Sequence, residues 1–305
     1  MGAAAIGDTV YFVGENQTIL QLTAPYDSRL TNLSCRAQVG TGANLLIAGF
    51  VVGGQESSDA DPLLIRGSGP ALVPFSVPGT LPDPELQLYS TAPGGGLLAT
   101  NTGWAGASAI SAEAAELGAF AWSEPTSHDT ALLVNLPIGS YTANIFGESG
   151  DSGVALAEVY DATPVGGYTF GSPRLINLSA RTKVGTGGDI LIAGFVIGGS
   201  TPKTVLIRAS GPALAPFGLT GTLSDPSLSV FGSVPGSAAL ATNTGWGADP
   251  GIQTAAAWVG AFSWGALATP DSAILITLAS GAYTAQVSGA GGDSGVALVE
   301  VYEVQ

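Results

Sequence analysis

Two copies of Gly-Asp-Ser-Gly, at 150–153 and 292–295, are the first residues to weigh for chemistry. A serine nucleophile needs a positioned imidazole to take its proton. The chain has one histidine, His128, and the second copy has Pro270 at the equivalent position. Both serines sit in Gly-rich links between apolar runs, so each string reads as a hairpin turn and no catalytic residue is assigned. One histidine and one cysteine exclude His/Cys metal ligation. The recurring acids are Asp83/Asp225, Asp129/Asp271, Asp151/Asp293 and Glu158/Glu300. They are dispersed singles rather than the clustered carboxylates that calcium takes, so no metal or other cofactor is assigned.

Two further residue types recur. Arg66 and Arg208 end the apolar runs Leu63-Leu64-Ile65 and Val205-Leu206-Ile207. An arginine so placed is expected to form a structural ion pair, with Asp83/Asp225 and Asp129/Asp271 as candidate partners. The other reading is a clamp for an anion or substrate. Trp104 and Trp246 read as core aromatics, and if exposed they are a candidate glycan platform. Cys35 is replaced by Ala180 in the second copy, which marks a small buried position rather than a reactive thiol.

The elements that position these residues follow from an internal repeat. Arg29–Ser34 returns as Arg174–Ser179, Leu46–Val51 as Leu191–Val196, and Ser68–Leu72 as Ser210–Leu214. Ala99–Trp104 returns as Ala241–Trp246 and Gly150–Leu156 as Gly292–Leu298. The offset is 145 residues up to Phe50/Phe195 and 142 from Arg66/Arg208 onward, so the length change falls in the acidic loop at 54–61. Residues 29–162 and 174–305 are therefore two copies of one module, joined by a linker at 163–173.

Within a copy, short β-rich runs alternate with turn signals such as Asp225-Pro226 and Gly291-Gly292-Asp293. In the second copy strands are predicted near 175–184, 189–197, 203–209, 227–231, 238–242, 273–278, 282–288 and 295–303. The fold class is all-β: two tandem antiparallel β-sandwiches or jelly rolls. One short helix is expected in each, N-capped by Asp249 before Pro250 and stopped by Gly260 in copy two. The last strand should turn Ala297, Val299 and Val301 to the core.

Residues 1–28 have no counterpart. Thr9–Thr23 reads as one extended strand, or as a hairpin turning at Gly14-Glu15-Asn16. Val10, Phe12, Leu20 and Leu22 are its apolar assembly positions. An isolated hairpin is marginal in water, so the segment is expected to complete its own module, to be a remnant of a preceding domain, or to add to a neighbouring subunit.

Composition sets limits. Gly (45) and Pro (19) are abundant and charged residues make up only 10%. A net charge of −15 would repel a phosphate backbone, so nucleic acid is not expected as a partner. No run of 18 apolar residues exists, so no membrane insertion is expected. The start, Met1–Gly7, lacks the basic and apolar regions of a signal peptide, so secretion would need a signal outside this sequence.

The order Leu-Ile-Arg-x-x-Gly-Pro-x-Leu, Asp-Pro-x-Leu, Ala-x-Asn-x-x-Trp, Gly-x-Tyr-Thr-Ala, Gly-Val-Ala-Leu-x-Glu-Val-Tyr resembles an uncharacterised repeat module of large secreted bacterial surface proteins. More loosely, each second half is similar to bacterial pre-peptidase C-terminal domains, which are jelly-roll accessory modules. Their acidic turn is here Asn101-Thr102-Gly103-Trp104 and Asn243-Thr244-Gly245-Trp246, without the acid. The resemblance implies an extracellular or cell-surface location and no reaction. The expected function is a structural subunit of a filament, sheath or surface layer, self-associating into a homopolymer. The alternative is an adhesion or carbohydrate-binding module with a surface glycan as partner.

Overall fold

The computed structural model describes residues 2–6, 9–13, 19–23, 28–42, 44–54, 59–164, 166–169, 171–265 and 269–304, the first three segments as backbone only. Copy one forms β4 (Arg29–Val39), β5 (Leu46–Gly53), β6 (Ala60–Ser68), β7 (Pro84–Ser90), β8 (Leu97–Asn101), β9 (Thr130–Pro137), β10 (Gly139–Gly147) and β11 (Gly153–Asp161). Copy two forms β12 (Arg174–Val184), β13 (Leu191–Gly198), β14 (Lys203–Ser210), β15 (Pro226–Gly232), β16 (Ala241–Asn243), β17 (Ser272–Leu278), β18 (Gly281–Gly289) and β19 (Gly295–Val304). These match the predicted runs to within a few residues. Helix α2 (Pro250–Trp258) falls between the expected Asp249 cap and Gly260 stop, and α1 (Ser108–Glu116) takes the equivalent place in copy one. Asp249 caps α2, its carboxylate accepting from the amides of Gly251 (2.7 Å) and Ile252 (3.1 Å). Each copy also has a short 3-10 turn that the sequence reading omits, Pro70–Phe75 and Pro212–Phe217.

Taken alone, each copy splits its eight strands into the orders 1-8-3-6 and 2-7-4-5, a jelly roll. The copies do not stand as separate sandwiches. One sheet runs β17-β14-β19-β12-β5-β10-β7-β8 and the other β16-β15-β18-β13-β4-β11-β6-β9. Each therefore takes four strands from each copy, spanning about 34 Å across its strands at roughly 4.8 Å per strand. The joints are β12 on β5 and β13 on β4, seven residue pairs in each. They are equivalent pairs, so a pseudo-two-fold axis relates the copies.

The most strongly repeated runs build this seam. Gly49 lies opposite Ser179, and Gly194 opposite Ser34. A Cβ on either glycine would stand 2.5 Å from the facing serine Oγ, so the glycine lets the strands close. Ala48 faces Ala180 and Cys35 faces Ala193. The small, fully buried position of Cys35 is thus a seam contact, and burial pushes its thiol up to about 12. A single apolar core fills the space between the sheets with residues of both copies, among them Phe50, Phe195 and the predicted Ala297, Val299 and Val301. On the outer faces two smaller clusters seat the helices, around Trp104 under α1 and Trp246 under α2.

The N-terminal segment makes a sheet of its own from β1 (Gly2–Ile6), β2 (Thr9–Val13) and β3 (Ile19–Thr23), all antiparallel. One continuous strand over Thr9–Thr23 is therefore corrected: the segment folds back and its strands pair with each other. Val10 pairs with Leu22, and Phe12 with Leu20. The expected turn at Gly14-Glu15-Asn16 lies outside the described residues. Among the described residues no strand pairing joins this sheet to either large sheet.

Candidate functional site

The Gly-Asp-Ser-Gly strings lie on the turns between β10 and β11 and between β18 and β19, with Ser152 and Ser294 exposed. Their second glycine has a packing role. The backbone at Leu81 bonds to that of Val154 (2.9 Å), and Leu223 to Val296 (2.8 Å), so a Cβ on Gly153 or Gly295 would meet the leucine amide at 2.5 Å. Gly295→Ala is expected to lower stability by about 2–3 kcal/mol, because backbone must move to admit the methyl. Ser294→Ala should be near neutral, and thermal unfolding of the two variants checks both.

Arg66 and Arg208 are buried at the ends of β6 and β14. Their acidic partners are not the aspartates suggested by the sequence. Arg66 Nε lies 3.3 Å from Glu158, and Arg208 Nε 3.6 Å from Glu300, each directly across the strand pair. Burial, opposed by the arginine, raises both glutamates above the usual carboxylate range. Each glutamate also accepts from a tyrosine hydroxyl, Tyr160 at 2.7 Å and Tyr302 at 2.6 Å.

The aspartates satisfy backbone and turns instead. Asp129 accepts from the amides of Gly69 (2.7 Å) and Ala71 (3.1 Å), and Asp271 from Gly211 (2.7 Å) and Ala213 (3.3 Å). They cap the 3-10 turns, whose first amides have no partner within the turn. Asp83 accepts from the Ser149 hydroxyl at 2.6 Å, and the Asp225 carbonyl accepts from the amide of Ala290 at 2.8 Å.

Two aromatic rings cover each guanidinium: Phe120 and Trp122 at 4.6 and 4.2 Å, Phe262 and Trp264 at 4.5 and 4.3 Å. Such cation–π stacking favours a desolvated arginine. Trp104 and Trp246 pack edge-on against Trp122 and Trp264, with ring centres 5.4 Å apart in both copies. Both are buried, and their indole N–H groups donate to Ser127 (3.1 Å) and Thr269 (3.2 Å). They are core aromatics, and the glycan platform assigned to them is not on the surface. The exposed tryptophan is Trp258, on α2.

The seam carries a second charged cluster. Arg29 donates to Asp161 at 2.6 Å, and its equivalent Arg174 to Glu303 at 2.9 Å. Tyr168 of the linker stacks 4.2 Å from Arg29. In copy two Lys203 also reaches Glu303, at 3.0 Å. The equivalent of Lys203 in copy one is Asp61, which places a second carboxylate beside Asp161. Burial, then the Asp161 charge, push Asp61 up to about 8.

The sign of the linkage follows from a folded pKa above the unfolded value of about 3.9. The contribution of Asp61 to folding stability is fully present below pH 4 and declines as pH rises to 8, because its carboxyl ionises first in the unfolded chain. Asp61→Asn removes this proton linkage. It should match the parent near pH 4 and exceed it by about 5 kcal/mol at pH 8, read by denaturant unfolding at the two pH values.

The outer edges of the sheets are β8 and β9 at the copy-one end and β16 and β17 at the copy-two end. None of these four strands contains a charged residue. Leu98 and Leu133 are exposed at one end, and their equivalents Leu240 and Leu275 at the other. Among the described residues no group of three His, Cys, Asp or Glu side chains could hold a metal ion, and no helix is long and apolar enough to cross a membrane.

No family model and no curated protein matches the sequence. Among solved structures, the crystal structure of the STIV MCP aligns over 99% of this chain and 94% of that chain, at 11% identity and a TM-score of 0.23.

Proposed function

We propose that the chain is a non-catalytic structural subunit of an extracellular bacterial filament, sheath or surface layer, assembling by strand pairing at its outer sheet edges. The observation that carries this reading is the pair β9 and β17. They are equivalent, eight and seven residues long, uncharged, and at opposite ends of one fused sandwich. An edge strand offers a row of unpaired N–H and C=O groups, and monomeric proteins blunt such edges with charge, bulges or cover. Because the pseudo-two-fold puts the same kind of edge at both ends, one type of contact repeats and the product is linear. β1 and β3, the outer strands of the small sheet, offer a second place for strand pairing with a neighbour.

The repeated motifs support a non-catalytic role, since their serines, glycines and aspartates serve turns and the seam. The resemblance of the repeated runs to modules of secreted surface proteins supports the location. Negative-stain microscopy of the purified chain over a concentration series tests the reading: linear particles are expected, and a monomer at all concentrations would overturn it. Deleting residues 1–24 separates the two contacts. Assembly that survives the deletion assigns growth to β9 and β17, and its loss assigns growth to the small sheet.

A further inference from the structure

Each copy holds a pocket beneath its helix that the assembly reading does not use. Arg66, Trp104, Ala114, Ala115 and Trp122 line a cavity of about 110 Å³. Their equivalents Arg208, Trp246, Ala256, Ala257 and Trp264 line one of about 290 Å³. No acidic residue lines either, in a chain of net charge −15.

The guanidinium in each pocket is incompletely satisfied. A guanidinium has five N–H donors. Glutamate approaches only the Nε side, and Nη1 and Nη2 of both arginines are buried with no hydrogen-bond partner. Arg66 is 1% exposed and Arg208 2%. Leaving such buried donors unmet is costly, and their recurrence in both copies marks a feature of the module.

We propose that each pocket is a binding site for a carboxylate borne on a small ring. The carboxylate takes the two open Nη groups as a bidentate pair, and the ring lies against tryptophan and the helix alanines. The stacked rings close over the Nη groups, so entry of the ligand displaces the half-buried ring of Trp122 or Trp264.

Calorimetric and tryptophan-fluorescence titrations with benzoate and with glucuronate test this, against benzyl alcohol and glucose as neutral controls. Saturable binding of at least one carboxylate is expected, near two per chain, with neutral controls at least 10-fold weaker. Benzoate alone would identify an aromatic carrier, and glucuronate alone an acidic sugar. Arg66→Met with Arg208→Met should abolish binding. Ala115→Leu and Ala257→Leu, at exposed helix positions lining the pockets, should each remove one site while the circular dichroism spectrum is retained. No saturable binding of either acid, equal binding of the neutral controls, or binding indifferent to the leucines would overturn the proposal.

Discussion

A chain carrying Leu133→Lys and Leu275→Lys is expected to stay monomeric where the parent assembles. Both leucines are exposed on edge strands, so the substitutions leave the core between the sheets unchanged. In a β9-to-β17 contact they would come to lie on the joint between neighbours. Each loses about 2 kcal/mol of apolar burial there. Lysines on facing strands add repulsion at the joint. Together about 4 kcal/mol weakens each contact by roughly 1,000-fold. Light scattering with thermal unfolding reads the outcome: lost assembly at an unchanged melting temperature. If the variant assembles as the parent does, the outer edges are not the contact.

Residues 29–162 produced alone are expected to form a symmetric dimer. Cutting the chain there exposes the inner edges β4 and β5, which in the intact protein are paired to β13 and β12. The missing partners carry almost the same residues. Leu191–Val196 repeats Leu46–Val51, so Ala48, Gly49 and Phe50 of a second copy can face Cys35, Ser34 and Leu33 as Ala193, Gly194 and Phe195 now do. Two strand pairs of seven residues, with the core residues behind them, support a dissociation constant of about 1 μM or tighter, roughly 8 kcal/mol. Sedimentation equilibrium decides it. A folded monomer at tens of micromolar would show that the seam is dispensable and each copy self-sufficient.

Alternation and turn residues made the strands legible, because they are local signals. Asp249-Pro250 and Gly260 likewise bounded α2. The pairing between copies was not legible, since it joins residues about 120–170 positions apart and periodicity does not name a partner. The repeat held the clue in its small residues: the Gly of Leu-Ile-Ala-Gly-Phe-Val and the Ser of Asn-Leu-Ser face each other across the seam.

For the arginines the burial and the structural ion pair were readable, but the partner was not. Asp129 and Asp271 were drawn into capping 3-10 turns that carried no recognised signal, and Asp83 into a bond with the Ser149 hydroxyl. Glu158 and Glu300 stood directly opposite Arg66 and Arg208 in strands whose register the sequence does not supply. The stacking of Phe120 and Phe262 over the guanidinium also depends on how the loop after each helix folds back.

Hydrogen–deuterium exchange on dilute and concentrated protein tests the central claim most directly. Among the described residues no strand lies outside β9 or β17, and of their amides those of Ala131 and Ala273 donate to the side chains of Asn101 and Asn243. Assembly through these edges predicts protection gained at 130–137 and 272–278 as particles form, with the seam strands β4, β5, β12 and β13 protected throughout. Particles that form while those two edges exchange as freely as in dilute solution would contradict it.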